Sequence, residues 1–427
     1  MPELPHACDV LRDEVDVLRT LAPSEQRFVR HGTYTGRSVS VRGALDPVAL
    51  GEAFDFVRRE YPVVACRIME DTAGQGYLLA PDEQAWTPAS VRQGDVETVD
   101  PPVVDPAGQL AYLDVVGSGA DQWRVTLFAH HSIADAGHCV GLLSGLWDFY
   151  TRIVDCAPIT VVPQAYPKPL EWYVEAHGIV RSVASGFEDV TKPLPPETDV
   201  VPAAGEPTSS TLARPLRARL DPDTTTRIVA LGRKSGVTVN GLVTAALLRA
   251  CASETVGGAV PLGCLYPVDL RSRFDPPVAA AAGTNMAGMA SFAAEVDPSG
   301  SLMELAQRIS GRLARDLSSG IVHQSVLHFP DFYGAARTYS LAGHIAVTNT
   351  GVVPAFRTPA AIALTDYEIV YLSAHPRPSA GASASVTFLV YTFARELTVG
   401  LLGGGANTDG LLAAVRAELT ALSVACV

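Results

Sequence analysis

Apolar positions follow two rhythms that alternate along the chain. From Gln122 to Ala129 the period is two: Trp123, Val125, Leu127 and Ala129 share one face, and Arg124, Thr126 and Phe128 the other. This spacing predicts a half-buried strand. From about Gly137 to Arg152 the period becomes helical, with Val140, Leu143, Trp147 and Tyr150 on one stripe. Asp46-Pro47 reads as a helix N-cap followed by proline at the first helical position. Leu50, Ala53, Phe54 and Val57 form that helix's apolar face, and Pro62 stops it. Asp221-Pro222 repeats the signature, and Gly236 ends the helix. Thr238 caps the next one, whose face is Leu242, Val243, Ala246, Leu247 and Ala250. Further strands are predicted near 38–43, 63–69, 111–116, 262–268, 344–349, 384–393 and 397–402.

Both rhythms stop between residues 188 and 210, where Lys192-Pro193-Leu194-Pro195-Pro196 marks a proline-rich crossover linker. The division predicts an N-terminal lobe over 1–187 and a C-terminal lobe over 211–427. Each is expected to be a mixed sheet with flanking helices, an α/β (mixed α+β) arrangement. A chain of 427 residues, 48% hydrophobic and 18% charged, is long enough for two or three cores. The net charge of −13 argues against nucleic acid and anionic membrane surfaces as partners. An acidic carrier protein stays compatible only through a local basic patch. Seven scattered cysteines without a CxxC pair suit reduced thiols better than disulfides or zinc. Met1 to Val17 carries acids and a proline where a signal peptide needs a basic region and an apolar core. No apolar run reaches membrane-spanning length. A soluble, cytoplasmic protein is expected.

The chemistry concentrates where the first strand meets its helix. His130 and His131 end the strand, and Asp135 follows four residues after the second histidine. Side chains at such an edge can project into a cleft while a sheet holds the backbone. This HHxxxD pattern resembles the active-site motif of the condensation-domain and CoA-dependent acyltransferase superfamily. Other segments resemble that superfamily in the same order: Leu21-Ala22-Pro23-Ser24-Glu25, Tyr61-Pro62-Val63-Val64, and Tyr266-Pro267-Val268-Asp269-Leu270-Arg271. Two asparagine-bearing segments follow, Gly283-Thr284-Asn285-Met286 and Thr348-Asn349-Thr350-Gly351. Gly320 to Phe329, together with Tyr266 to Ala290, is most similar to the actinobacterial polyketide-associated acyltransferases.

The resemblance implies two chloramphenicol-acetyltransferase-like lobes with a channel between them. It implies transfer of an acyl group from a pantetheine thioester, on an acyl carrier protein or CoA, to a hydroxyl of a polyketide or related natural product. An amine is a less favoured acceptor. Neither a bound cofactor, a metal, nor a covalent acyl-enzyme belongs to this chemistry. His131 takes the role of general base, because a hydroxyl needs help losing its proton to attack a thioester; such help gains about 10²–10⁴-fold. The bland alternative is a core histidine bonded to backbone. His130 reads as structural. Asp135 is expected to turn from the substrate and pair with Arg271, with Asp269 and Arg273 as nearby rivals in the network.

Thr348, Asn349 and Thr350 are candidates for oxyanion or pantetheine contacts, although an ordinary turn explains them equally. Arg308, Arg312 and Arg315 share a helix face that suits a carrier's acidic surface or simply solvent. A metal site on His130, His131 and His138 is conceivable, but the sequence offers no Cys or Glu at a spacing that completes a zinc set. One departure stands out: Ala136 occupies a position that is glycine in the superfamily, and Gly137 follows as a substitute source of backbone freedom. That departure raises a second reading, a scaffold diverted to cyclisation or condensation of a polyketide. A third is a non-catalytic carrier-binding protein.

Overall fold

The computed structural model describes residues 16–95, 98–119, 121–193, 210–255, 257–333, 338–340, 343–375, 386–403 and 407–424. Among them, twelve strands build two six-stranded sheets. In chain order they are β1 (Thr33–Gly43), β2 (Ser90–Gln93), β3 (Ala111–Gly117), β4 (Gln122–His130), β5 (Thr211–Ala213), β6 (Leu216–Arg219), β7 (Val260–Asp269), β8 (Ala287–Val296), β9 (Ile345–Val352), β10 (Ile362–Ser373), β11 (Val386–Phe393) and β12 (Glu396–Gly403). The first sheet runs β2-β3-β4-β1-β10-β5, and the second β6-β12-β11-β9-β7-β8.

The helices lie where the capping signals put them. Asp46 accepts from the backbone of Val48 and Ala49 and starts α1 (Pro47–Glu60). Asp135 starts α2 (Ala136–Val154). Asp221 caps α3 (Pro222–Ser235), which ends on Gly236 at φ 65°, a left-handed angle that glycine adopts without steric cost. Thr238 caps α4 (Val239–Ser253). Two more helices, α5 (Leu302–Ser318) and α6 (Thr408–Val424), complete the second lobe. Helices α1 and α2 pack together over the first sheet's core, where Phe54, Leu146 and Trp147 are fully buried. Helices α4, α5 and α6 gather around the second core.

Two features depart from the sequence reading. The stretch predicted as a strand over 63–69 is a helical turn, Pro62–Ala65, followed by a short strand, Arg67–Glu70. Val63 and Val64 are both buried; a single turn can turn successive side chains inward, whereas a strand alternates them. Strand pairing also crosses the expected lobe division. β10 and β5, from the second half, pair along the first sheet beyond β1. They cover an eleven-residue strand that would otherwise present an open edge. Of the proline-rich linker, Lys192–Pro193 pairs with Tyr339–Ser340, and residues 194–209 lie outside the described residues. So does most of the Met1 to Val17 segment. Cys66, Cys139, Cys156, Cys251 and Cys264 are free thiols. Among the described residues, no single helix is long and apolar enough to cross a membrane.

Candidate active site

The antiparallel ladder between β4 and β1 sets His130 opposite Tyr34. One residue further, the His131 N–H donates to the Thr33 carbonyl at 2.7 Å. The chain then turns sharply: the Ile133 N–H donates to the His130 carbonyl at 3.0 Å. Asp135 closes the turn as N-cap of α2, its carboxylate accepting from the His138 N–H at 3.0 Å. The two histidines are thus fixed by a sheet on one side and a capped helix on the other.

Their environments differ. His130 is wholly buried and sits edge-on to Tyr34, ring centroids 5.0 Å apart. Its Nδ1 accepts from the Ser132 N–H at 3.3 Å. Burial, with smaller contributions from His131 and His375, pushes its pKa down to about 3. His131 is only half-buried. Its Nδ1 lies 3.0 Å from the Ala134 carbonyl, which can only accept. Nδ1 therefore carries the proton and Nε2 keeps a free lone pair. Phe28 stacks on the imidazole at 4.0 Å and 12° between planes, and Tyr371 lies at 6.2 Å. Burial, then the charges of Arg27 and Arg37, bring the His131 pKa down to about 4. At neutral pH the ring is an unprotonated acceptor.

The second lobe braces this turn. Arg271 donates from Nη1 to Asp135 Oδ2 at 2.6 Å and from Nη2 to the Gly283 carbonyl at 3.2 Å. The side chains of both partners are about one-tenth exposed or less, at 8% and 10%. Burial raises the Asp135 pKa, but Arg271 and the N–H groups of His138 and Met286 outweigh it and hold the carboxyl below its usual range. Asp269 also reaches Arg271, at 3.3 Å. Asn285 donates from Nδ2 to the carbonyls of His131, at 2.6 Å, and Ser132, at 3.1 Å. The Thr284 hydroxyl donates to Glu25 at 2.8 Å, and the Asp135 N–H donates to the Thr284 carbonyl at 3.1 Å. Glu25 is fully buried and paired with Arg19 at 2.6 Å.

Other residues singled out from the sequence lie elsewhere in the network. Ala136 is the first residue of α2. Cys156, Ala394 and Arg395 are the non-glycine residues with positive φ among those described, and Gly137 is not among the positive-φ glycines. Neither position needs a left-handed backbone, so the alanine fits a right-handed turn that it readily adopts. A Cβ at Gly137 would meet Arg271 Nη1 at 3.5 Å, ordinary contact. Asn349 is occupied with Asn240, at 3.1 Å, and with the Gly351 N–H, at 2.9 Å. Thr348 precedes it on β9, and the Thr350 hydroxyl is buried without a partner among the described residues. On α5, Arg308 lies over Phe292, Arg312 bridges Asp316 and Asp189 at 2.7 and 3.1 Å, and Arg315 is exposed. His138 is buried beside Tyr61. The described residues hold no group of three His, Cys, Asp or Glu side chains placed to grip a metal.

Arg27, Phe28, Tyr371 and Asn285 escaped the sequence reading as site residues. Asn285 had a signal, since its segment was one of the two asparagine-bearing stretches. Tyr371 had none, because β10 reaches the first sheet only through a long-range crossing.

Two six-stranded sheets with a strand-end histidine braced across two lobes define the class by fold: a two-lobed, condensation-domain-like architecture. The structure of polyketide synthase associated protein 5 from Mycobacterium tuberculosis aligns with a TM-score of 0.80 and 26% identity, covering 96% of this chain and 99% of that one. The first condensation domain of the calcium-dependent antibiotic synthetase shares the fold at a TM-score of 0.60 and 17% identity, covering 96% and 97%. Residues 209–402 match the family model described as phthiocerol/phthiodiolone dimycocerosyl transferase C-terminus. The phthiocerol/phthiodiolone dimycocerosyl transferase of Mycobacterium ulcerans (strain Agy99) is 33% identical over 359 residues, 82% of this chain and 85% of that one. The chain belongs to the phthiocerol/phthiodiolone dimycocerosyl transferase family, and it is an acyltransferase of the polyketide-associated type.

Proposed function

We propose that this acyltransferase moves an acyl group from a pantetheine thioester, on an acyl carrier protein or CoA, to a hydroxyl of a polyketide or related natural product, with His131 as general base. The single observation that carries this is the ring's own bonding: Nδ1 donates to Ala134, and Nε2 has no partner among the described residues. Nε2 takes the acceptor's proton as its oxygen bonds to the thioester carbon. The C–S bond then breaks, and the thiolate leaves with that proton. Asp135 and Arg271 aim the ring from behind, and no acyl-enzyme forms. The names of the relatives support an ester-forming reaction with a hydroxylated acceptor.

The test is thiol release and acyl gain, followed by mass spectrometry on one candidate substrate. His131→Ala should fold and lose at least about two decades of turnover. His130→Ala should keep more activity than His131→Ala. Near-normal transfer by His131→Ala would end the proposal, and His131-dependent isomerisation without acyl gain would replace it with a diverted reaction.

A further inference from the structure

Arg27 is a half-buried cation beside the reacting imidazole with no carboxylate or hydrogen-bond acceptor among the described residues. Its Nε is sealed from solvent and has no partner among the described residues. Three aromatic rings hold the guanidinium instead: Phe28 at 4.5 Å, Phe329 at 5.0 Å and Tyr333 at 5.6 Å. The Phe28 ring is also the one stacked on His131, at 4.0 Å. The rings fix the position of the guanidinium without neutralising it. Two other arginines of the site are committed. Arg271 is spent on Asp135 and Asp269. Arg37 is 3% exposed and gives Nη1 to Thr35 and Gly36. Arg27 alone of the three combines access with an open donor fork.

Half-burial of an unneutralised cation is costly, and the cost is offset when an anion arrives. A guanidinium fork matches two-oxygen anions best, carboxylate or phosphate. The phosphate of a carrier's arm is separated from the reacting thioester by the whole length of pantetheine. Arg27 shares a ring with the base, so that phosphate cannot be its ligand while the thioester is at His131. A carboxylate within a few bonds of the reacting atom can.

We propose that Arg27 reads substrate charge: its guanidinium receives a carboxylate borne close to the reacting centre by the acyl group or by the acceptor. The inference rests on the acyl-transfer reading above and adds a substrate class to it. The same cation that opposes protonation of His131 would be balanced by that carboxylate, so a charged substrate would also restore the imidazole's basicity as it binds.

The experiment is equilibrium binding to the full chain of two matched probe pairs. One is succinyl-pantetheine against its methyl ester, for the acyl source. The other is β-hydroxydecanoate against its methyl ester, for the acceptor source. In one pair, the wild type should bind the carboxylate at least about tenfold more tightly than the ester, the usual scale of a charge-assisted pair. Arg27→Met should bring that ratio close to one, and Arg27→Lys should keep part of it. The His131→Ala protein should show the wild-type preference, which separates this inference from the reaction itself. If no thiol is released from any donor yet the preference persists, the acyl-transfer reading fails and the anion site stands. No preference in either pair, a preference that survives Arg27→Met, or equal loss of both members of a pair would overturn the proposal.

Discussion

The two sheets are equal in strand number and differ in what their ends carry. The first ends β4 on His130, with His131 one residue beyond, and fixes the backbone of both through Tyr34 and Thr33. The second ends β7 on Asp269, followed by Arg271, and starts β8 just after Thr284 and Asn285. Three of these second-lobe side chains hold the first lobe's turn: Arg271 by a buried ion pair, Asn285 by two bonds to carbonyls, Thr284 through Glu25. On the proposed reaction, one lobe supplies the reacting group and the other fixes its aim. His131 is therefore only as well placed as the lobe interface is intact, and, if it is the base, substitutions in the second lobe should reach the chemistry without touching substrate.

Breaking the ion pair is the harshest test of this division. Asp135→Ala leaves Arg271 as a buried cation beside Asp269 and removes the α2 cap. It should cost about 3–5 kcal/mol of stability, read as a lower Tm, along with most of the activity. An unchanged Tm would mean that the lobes do not depend on this contact. Asn285→Ala comes next. It strips the His131 and Ser132 carbonyls of a donor, which should cost about 1–3 kcal/mol, split between Tm and kcat. A change confined to the donor KM would instead make Asn285 a substrate contact. Ala136→Gly should do least. At the first position of α2 it should cost no more than about 1 kcal/mol and leave the product unchanged. A new product from that variant would show that the alanine sets the reaction.

Much of this was legible in the sequence because it is local. The caps at Asp46, Asp221 and Thr238 and the stop at Gly236 are short-range signals, and each lies where its helix begins or ends. The strand-to-helix turn at His131 is equally local. What stayed hidden depends on pairing across the chain. β10 escaped because Asp366 and Glu368 interrupt its apolar run. Those acids are matched by Arg219, Arg217 and Arg214 from the β5–β6 region, at 2.5 Å for Arg219 with Asp366 and 3.0 Å for Arg214 with Glu368. β8 escaped because it is built mostly from small residues with little contrast. Of the two asparagine-bearing segments, sequence spacing could not say which reaches His131. The register of β7 with β8, Asp269 opposite Ala287, carries Asn285 past the strand end to the turn at His131. The concern over Ala136 came from glycine's backbone freedom, and the right-handed helix start makes that freedom unnecessary.

If the interface aims a base, it must hold His131 as a neutral ring with its proton on Nδ1 and a free Nε2. Nitrogen-15 NMR of ring-labelled protein measures this directly, with His131→Ala identifying its signals among the 10 histidines. The expected spectrum at neutral pH has His131 Nδ1 protonated and Nε2 bare. That state should persist as the pH falls, with protonation only near about 4, because burial and the charges of Arg27 and Arg37 disfavour the imidazolium. A base must be unprotonated, so the acidic limb of kcat/KM should fall through the same range. A His131 ring that is already imidazolium at pH 7, or that carries its proton on Nε2, would contradict the account.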